Sequence, residues 1–565
     1  MEIDFTLAQS TGNPRFGDRR EAQNKFVEIF NNFLQSDQKY LIVNAPTGSG
    51  KTGMMADASY ICEQAGMKSV ILEPARILQD EIRKDIYRGK VIKGKRNYLC
   101  DNEEGRGGYE EGVRTANGAE CSRPNSDFGN QCQVRAGFLC KYYNAKEDAS
   151  NSNLIIGNNM QYYSMQFLPT PNPDGLPGNG NPYWGADILF FDEAHMMFDQ
   201  LDKAEALIIN KERLEAISET AEKVAPYWKN VLPELPQSEN IDILYKYSFS
   251  LNLWADWADR IPKSVIEVLA IDDNWKDLSW KLARLSNMLY VDKKEYIVEV
   301  TGNPKDTNFS IRICPVFTSA NPITKNAKKV VLLSATITPN DLLRRGVSLD
   351  DIIYEELHSD FPVENCKIRV HENAIGMTYN EQQRKRHPAL FGALVNQAIK
   401  ESDCKGNGKI VIATHAYKYI YGSDRMCLES LLPQEIKKRV IYNKNSDQLP
   451  EAVEIHTNAD SNSILFAVGI ETGMNFNDDL CRTLIILAVP RKPINDLVTR
   501  RRMEYEGNYN WYDDCTWHEI AQMAGRGMRH KEDWCDVLIL DKNWKKWAVE
   551  HKHLFPDWFI NRLDF

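Results

Sequence analysis

Eight consecutive residues, Ala45-Pro46-Thr47-Gly48-Ser49-Gly50-Lys51-Thr52, carry the chemistry that is easiest to read in this chain. They follow an apolar run, Leu41–Ala45. They open a helical stretch from about Lys51 to Ala65, with Gly66 as its stop. Gly48 and Gly50 let the backbone bend so that its N–H groups converge on phosphate oxygens. The N-terminus of the following helix adds partial positive charge. Lys51 would bridge the β and γ phosphates of a nucleoside triphosphate, and the Thr52 hydroxyl would ligate Mg2+. Ala45 stands where the strict pattern has Gly. A second constellation is Asp192-Glu193-Ala194-His195, which closes the apolar run Asp187–Phe191. Such a placement puts two carboxylates at the carboxyl edge of a sheet, where ligands bind. Asp192 would hold Mg2+, and Glu193 would orient and polarise the attacking water. His195 fits coupling between domains better than chemistry. A third is QMAGRGMRH, with Gln522, Gly525, Arg526 and Arg529. Arginines three residues apart share a helix face, and they would supply the positive charge that a transferring phosphoryl group needs.

The elements that must position these groups follow from short apolar runs. Leu41–Ala45, Ser69–Leu72, Leu154–Gly157, Asp187–Phe191 and Val330–Leu333 read as strands of a parallel sheet covered on both faces. A second set is Ile410–Ala413, Val440–Tyr442, Ile464–Val468, Leu484–Val489 and Val537–Leu540. Strands alternate with helices in both sets, so the fold class is α/β with two similar units. Two segments break the rhythm. Residues 90–150 are rich in Gly, Asn, Arg and Cys, and read as an insertion in need of a staple. Residues 199–318 are mainly helical by pattern. Their tryptophans Trp228, Trp254, Trp257, Trp275 and Trp280 are expected to form a helical core.

Bulk properties bound the function without choosing it. A chain of 565 residues is expected to form several domains. A 42% hydrophobic and 26% charged composition is that of a globular protein. The net charge of −10 argues against a general nucleic-acid coating protein, but not against a motor with one basic channel. Neither a leader pattern nor an apolar run of membrane-spanning length is visible. The expectation is an intracellular, soluble protein with no membrane partner: cytoplasmic if the source is prokaryotic or viral, nuclear if eukaryotic. Twelve cysteines in such a chain suggest metal ligands or chemistry, not a disulfide framework.

The order APTGSGKT, DEAH, SAT (Ser334 to Thr336) and QxxGRxxR resembles superfamily 2 helicases, and the details resemble the XPD/DinG branch. Gln23 lies 28 residues before Lys51, where that family has an adenine-reading glutamine. LEPARILQ, with Arg76 and Gln79, is similar to its motif Ia. NLIIGNNMQYY, SATITPNDLL, HSDFPVEN and LAVPRKP with Arg500-Arg501-Arg502 also match it in order. The resemblance covers both α/β units and implies two RecA-like parallel-sheet motor domains. The first would comprise residues 1–198 and 319–358. It would carry a four-cysteine iron–sulfur insertion at 90–150 and a helical, arch-like insertion at 199–318. The second would comprise residues 359–565. Motif V departs from the family: Thr472-Gly473-Met474-Asn475-Phe476 replaces an acidic core, which bears on the coupling role of Gly473 and Asn475. Coupling is expected also from His195, Ser334 and Thr336.

Cys100, Cys121, Cys132 and Cys140 lie between the two nucleotide motifs, with 20, 10 and 7 residues in the gaps. The family carries a 4Fe–4S site in this interval, so the resemblance implies a cluster, and four thiolates suit one. Zinc is the main competitor, although the tight cysteine pairs of structural zinc sites are missing. Just before Cys100, RGKVIKGKR places Arg88, Lys90, Lys93, Lys95 and Arg96 in nine residues without an acid. With Tyr98, Phe138, Tyr142 and Tyr143 nearby, this reads either as a single-strand channel or as an ordinary solvated basic run.

The resemblance implies an ATP- and Mg2+-dependent DNA helicase, a monomer acting on single-stranded and forked DNA with 5′→3′ polarity. Three other readings compete. A translocase would hydrolyse ATP without unwinding. An RNA helicase shares the DEAH box but not the cysteine insertion. A non-enzymatic iron–sulfur sensor conflicts with intact Lys51, Asp192, Glu193 and Arg526.

Overall fold

The computed structural model describes residues 20–564, apart from 87, 101–107, 111–112, 116–139, 167–179, 234–242, 273–274, 289–294, 303–306, 379–386, 407, 423, 446–447, 471–475, 506 and 529. The first α/β unit begins with β1 (Tyr40–Asn44), β2 (Ser69–Glu73) and the short β3 (Lys90–Val91). A small hairpin, β4 (Gly108–Glu110) and β5 (Val113–Thr115), precedes β6 (Leu154–Asn158) and β7 (Ile188–Phe191). The 199–318 region supplies β8 (Leu207–Asn210), β9 (Tyr296–Thr301) and β10 (Ser310–Pro315). The chain then returns to the first unit with β11 (Lys329–Ser334) and β12 (Ile352–Glu356).

The first sheet has the order β12-β1-β11-β7-β2-β6-β3, and its pairings are parallel. Pleating sends alternate side chains to opposite faces, and both faces are covered. Leu41, Val43, Ile71, Phe190 and Val331 pack under the helices Glu21–Gln35 and Lys51–Gln64, against Phe26, Phe30, Met54 and Ile61. Ile42, Val70, Leu72, Leu189 and Leu332 face Tyr162, Phe198 and Leu201 on the other side. The five strands expected here are present. Two more join them: β3 at one edge, too short for a periodicity signal, and β12 at the other.

The second unit contains β13 (Ile368–Ile375), β14 (Ile410–Thr414), β15 (Val440–Tyr442), β16 (Ile464–Val468), β17 (Thr483–Ile486), β18 (Asp536–Asp541) and β19 (Leu563–Asp564). Their order is β15-β16-β14-β17-β18-β13-β19, again parallel. Two parallel-sheet α/β domains therefore stand as expected.

The two irregular segments need correction in detail. Residues 90–91 form β3, and helix Lys141–Ser150 buries Tyr142, Tyr143 and Ala149 against the first sheet's layer. Both ends of the 90–150 stretch therefore pack with the α/β unit. The 199–318 stretch is not only helical, because β8-β10-β9 form an antiparallel sheet. Its signal was the alternation in Ser310-Ile311-Arg312-Ile313. Helices Lys211–Val224, Ile243–Asp259, Lys263–Ile271 and Lys276–Asn287 pack on that sheet around Trp254 and Trp257, whose rings meet edge to face at 5.5 Å. Trp228 and Trp275 border this core, while Trp280 is exposed. Among the described residues no helix is long and apolar enough to cross a membrane.

Candidate active site between the two sheets

The parallel register sets Asn44 at the end of β1 beside Ser334 at the end of β11, and Ala45 N–H donates to Ser334 O at 2.9 Å. Ala45 to Lys51 then turn above the sheet edge. Gly48 and Gly50 sit at φ +80° and +85°, where a side chain would be strained. A Cβ on Gly50 would lie 2.6 Å from Gln23 Nε2. Gln23 is itself tied to this loop, donating to Gly50 O at 3.3 Å while its Oε1 accepts from Arg20 N–H. The loop offers buried donors without partners among the described residues: the hydroxyls of Thr47 and Ser49. Lys51 and Thr52 open the helix Lys51–Gln64. Loop, orphaned hydroxyls and helix N-terminus together suit a polyphosphate, which accepts hydrogen bonds and carries negative charge.

The acidic pair lies at the end of β7. Glu193 holds a left-handed φ of +42°, uncommon for a residue with a side chain and concentrated at functional sites. It is followed at once by helix Ala194–Glu205. Glu193 Oε1 lies 3.4 Å from Lys51 Nζ, and Oε2 lies 3.5 Å from His195 Nδ1. Burial alone would raise the Glu193 carboxyl, but Lys51, His195 and Arg526 outweigh it and hold the group below the usual range. Burial and the Glu193 charge push neighbouring Asp192 the other way, against the pull of Lys51. One carboxylate is thus kept ionised for work on water. The other carboxyl, raised by burial and the neighbouring charge, is one that a divalent cation would stabilise in its ionised form.

From Glu193 a polar chain crosses to the second sheet. His195 Nδ1 meets Ser334 Oγ at 2.7 Å. Ser334 Oγ lies 3.5 Å from Thr336 Oγ1 and accepts from Thr336 N–H at 3.2 Å. Thr336 Oγ1 accepts from Gln522 Nε2 at 3.2 Å. Gln522 belongs to helix Trp511–Ala524 of the second unit. Lys51, Glu193, His195, Ser334, Thr336 and Gln522, scattered over the sequence, therefore form one continuous line.

Arg526 is buried beside this line, and its charge reaches Glu193. The α-helix expected to carry Arg526 does not reach it. The helix stops at Ala524, Gly525–Gly527 form a 3-10 turn, and Met528 is extended. Two glycines in three residues make continuation costly. Arg529, Gly473 and Asn475 lie outside the described residues, whereas Phe476 N–H donates to Arg526 O at 3.1 Å.

Two contacts across the cleft were not foreseen. Gly525 packs so closely on Thr47 that a Cβ would lie 2.6 Å from its Oγ1. Phe361, in the core of the second unit, presses on Gly48. Gly525 stood inside a recognised motif; Phe361 lies in the matched segment HSDFPVEN, but its contact with Gly48 gave no sequence signal.

The basic segment is not a uniformly free strip. Arg88 pairs with Glu63 at 2.6 Å and stacks over Tyr60, and Lys93 pairs with Asp80 at 2.6 Å. Lys95 lies over the Tyr142 and Tyr143 rings. Lys90 is exposed on the edge strand. The side chains of Arg76 and Arg96 lie outside the described set, as do Cys121, Cys132 and Phe138. Tyr98 meets Tyr142 edge to face at 5.5 Å, and its hydroxyl accepts from Lys93 N–H. Cys100 stands two residues after Tyr98, and Cys140 two residues before Tyr142. That ring contact joins the two segments that carry the outer two cysteines. Cys140 stands at the N-cap of helix Lys141–Ser150.

Two family models match the chain: "Type III restriction enzyme, res subunit" over residues 17–224, and "Helicase C-terminal domain" over residues 400–562. A "Probable ATP-dependent helicase" of Methanocaldococcus jannaschii is 22% identical over 91% of this chain and 90% of its own length. An "ATP-dependent DNA helicase" of Kluyveromyces lactis is 21% identical over 43% of this chain, which spans 32% of that relative. Among solved structures, S. tokodaii Xpd4 superposes with a TM-score of 0.53 at 12% identity, covering 96% of this chain and 99% of that one. An XPD structure without ligand gives 0.50 at 14% identity, covering 94% and 98%. At these identities the structural likeness is one of fold.

Proposed function

Because the chain is an XPD/DinG-like superfamily 2 helicase, an ATP-dependent enzyme, we propose that it unwinds duplex DNA from a single-stranded 5′ tail. The observation that carries this reading is the polar line from Lys51 to Gln522. A hydrolase without mechanical output has no need to wire its catalytic acid to a second domain. In this proposal the Ala45–Thr52 loop holds the phosphates, with Lys51 on the outer two, and Gln23 flanks the adenine. Thr52 and Asp192 hold Mg2+, which would neutralise phosphate charge. Glu193 in its ionised form orients water and takes up its proton. Arg526, with Arg529, stabilises charge on the transferring group. His195, Ser334, Thr336 and Gln522 respond to the presence of the γ phosphate by closing the cleft, and Gly473 and Asn475 are assigned the same coupling role.

Cys100, Cys121, Cys132 and Cys140 would ligate a 4Fe–4S cluster in this proposal. The Tyr98–Tyr142 contact, which joins the segments that carry Cys100 and Cys140, supports it. The cluster would cross-link a segment that has little apolar surface of its own. Residues 199–318 form the arch-like domain, and the strand would pass between it and the cluster domain. In this proposal Lys90, Lys93, Lys95, Arg88 and Tyr98, with Arg76 and Arg96, contact the DNA. Forked and single-stranded DNA are the partners.

The test is ATP-dependent strand displacement by anaerobically purified protein, on duplexes with either a 5′ or a 3′ tail. Displacement only with the 5′ tail is expected. Displacement only with the 3′ tail refutes the polarity. DNA-stimulated ATP turnover without displacement from either substrate refutes unwinding and leaves a translocase.

A further inference from the structure

Asp202 lies on the helix that starts immediately after Glu193, nine residues further on and so roughly 14 Å along a rigid element. Its carboxylate is buried and fully engaged. Arg345 of the first α/β unit approaches it with both terminal nitrogens, Nη1 to Oδ1 at 2.8 Å and Nη2 to Oδ2 at 3.0 Å. Arg502 of the second unit donates to Oδ2 at 2.8 Å. Thr318 N–H donates to Oδ1 at 3.1 Å.

Both arginines also grip the segment after β10 by which the chain leaves the 199–318 domain. Arg345 Nη1 donates to Thr318 O at 3.0 Å, and Arg502 Nε donates to Val316 O at 2.7 Å. Between these carbonyls, the Phe317 ring lies under the Arg502 guanidinium at 5.1 Å, and Trp511 lies 5.2 Å from the same group. One carboxylate thus joins three bodies: the helix behind the catalytic acid, the second motor domain and the root of the inserted domain.

The second unit also packs on the inserted domain. Ile297, Cys314, Val316 and Phe317 at its root share an apolar cluster with Val498 and Trp511 of the second unit. Tyr505 Oη donates to Glu295 at 2.7 Å. The root is covalently continuous with the first unit, which also holds it through Arg345 and the Arg284–Glu205 ion pair, while its apolar cluster is shared with the second. Any change in the cleft between the units must shear this contact or carry the inserted domain along. Buried charge pairs with fixed geometry resist shear, because a separated partner is left as an unpaired buried charge.

We propose that Asp202 is a positioning residue that ties nucleotide-driven movement of the second motor domain to the inserted domain, with Arg502 as the moving arm. This rests on the reading of the chain as an ATP-driven two-domain motor. It adds a route to the inserted domain that does not pass through the Lys51–Gln522 line. Arg345 keeps Asp202 in place while Arg502 pulls on Val316. The arch-like domain therefore changes its angle to the first unit each time the cleft closes.

The test is energy transfer between dyes attached through non-canonical amino acids at positions 25 and 263, which leaves every cysteine untouched. The Lys25 and Lys263 side chains are 60% and 89% exposed. Full-length protein is measured with and without a non-hydrolysable ATP analogue, in the absence of nucleic acid. The wild type is expected to show a nucleotide-dependent shift. Arg502→Met should lose at least half of it while DNA-free ATP turnover stays within about two-fold of wild type. Arg502→Lys, which retains the charge near Asp202 but not the bond to Val316 O, should fall between. Asp202→Asn should lose the shift as Arg502→Met does. Arg502→Met leaves the Arg345–Asp202 pair intact, so it separates the effect from loss of fold, checked by thermal unfolding. A full shift in Arg502→Met overturns the proposal. So does a wild type that hydrolyses ATP without any shift, and turnover measured in the same sample separates that result from failure of the motor reading.

Discussion

Gly525→Ala places a single methyl group between the two motor domains. Gly525 has φ −71° and ψ −9°, a conformation open to any residue, so alanine costs nothing in the backbone. The added carbon would lie 2.6 Å from both Oγ1 and Cγ2 of Thr47, and 3.0 Å from its Cβ. Ordinary contact begins at 3.4 Å, so the overlap is about 0.8 Å. Thr47 cannot swing all of these atoms away, because Cβ is fixed to the backbone. Overpacking of this kind costs about 1–3 kcal/mol. The two surfaces belong to different domains, so the strain is relieved by opening the cleft rather than by unfolding either one. If that cost falls on the closed state, kcat for ATP drops by about 5-fold to about 150-fold, at 1.36 kcal/mol per factor of ten. The midpoint of thermal unfolding should move little. The assay is steady-state ATP turnover of Gly525→Ala, Thr47→Ala and the double variant. The double variant should lose less activity than the two single losses combined, because removing Oγ1 and Cγ2 opens space for the new methyl. A kcat for Gly525→Ala within two-fold of wild type, or strict additivity in the cycle, refutes the reasoning.

Glu193→Gln should slow ATP turnover by about 10²–10⁴-fold while nucleotide still binds, as loss of a positioned base does; a loss below ten-fold in single-turnover measurements would remove Glu193 from that role. Cys140→Ser should lower the iron content of anaerobically purified protein and depress strand displacement more than DNA-free ATP turnover; iron equal to wild type excludes Cys140 as a ligand. Burial pushes the His456 imidazole down to about 4, with Lys409 helping and the bond to Leu480 O opposing. Its unfolded value is about 6.5. The unfolded chain alone takes up this proton between those values, so stability associated with neutral His456 is complete above about pH 6.5. It is lost as pH falls through about 4. His456→Gln should flatten the fall in thermal midpoint across that window, and parallel curves for variant and wild type would contradict the assignment.

What could be read in the chain and what could not divides by locality. The Ala45–Thr52 loop and the Asp192-Glu193 pair depend on contiguous residues and on the strand before them, so pattern and spacing sufficed. The link through Ser334 and Thr336 was suggested by family order, but its physical course through His195 and Gln522 depends on β1, β7 and β11 lying side by side. The Gly525–Thr47 and Phe361–Gly48 contacts come from docking one domain on another, which leaves no periodicity. Asp202 looked like one acid in a mixed-charge helix; only the fold brings Arg345 and Arg502 to it. The helix expected through Arg526 failed because propensity yielded to Gly525 and Gly527. β3 and β19, two residues each, are defined by their neighbours alone.

The strand order of the first sheet has a consequence for how the chain is made. β11 lies between β1 and β7 yet follows them in sequence, beyond the whole 199–318 domain. During synthesis from the N-terminus, β1 and β7 emerge with no neighbour between them, each with an apolar edge unpaired. The phosphate loop lacks its anchor until Ser334 O can accept from Ala45 N–H. More than a hundred residues of a separate core, built on Trp254 and Trp257, leave the ribosome in the meantime and can fold on their own cluster. The nascent first domain is therefore open and sticky while its insertion is already compact, a state that calls for chaperone shielding. Arrival of β11 joins β1 to β7 and anchors the loop, while β12 and, from the second domain, Gln522 and Arg526 follow later, so the ATP site is complete only when most of the chain has been made.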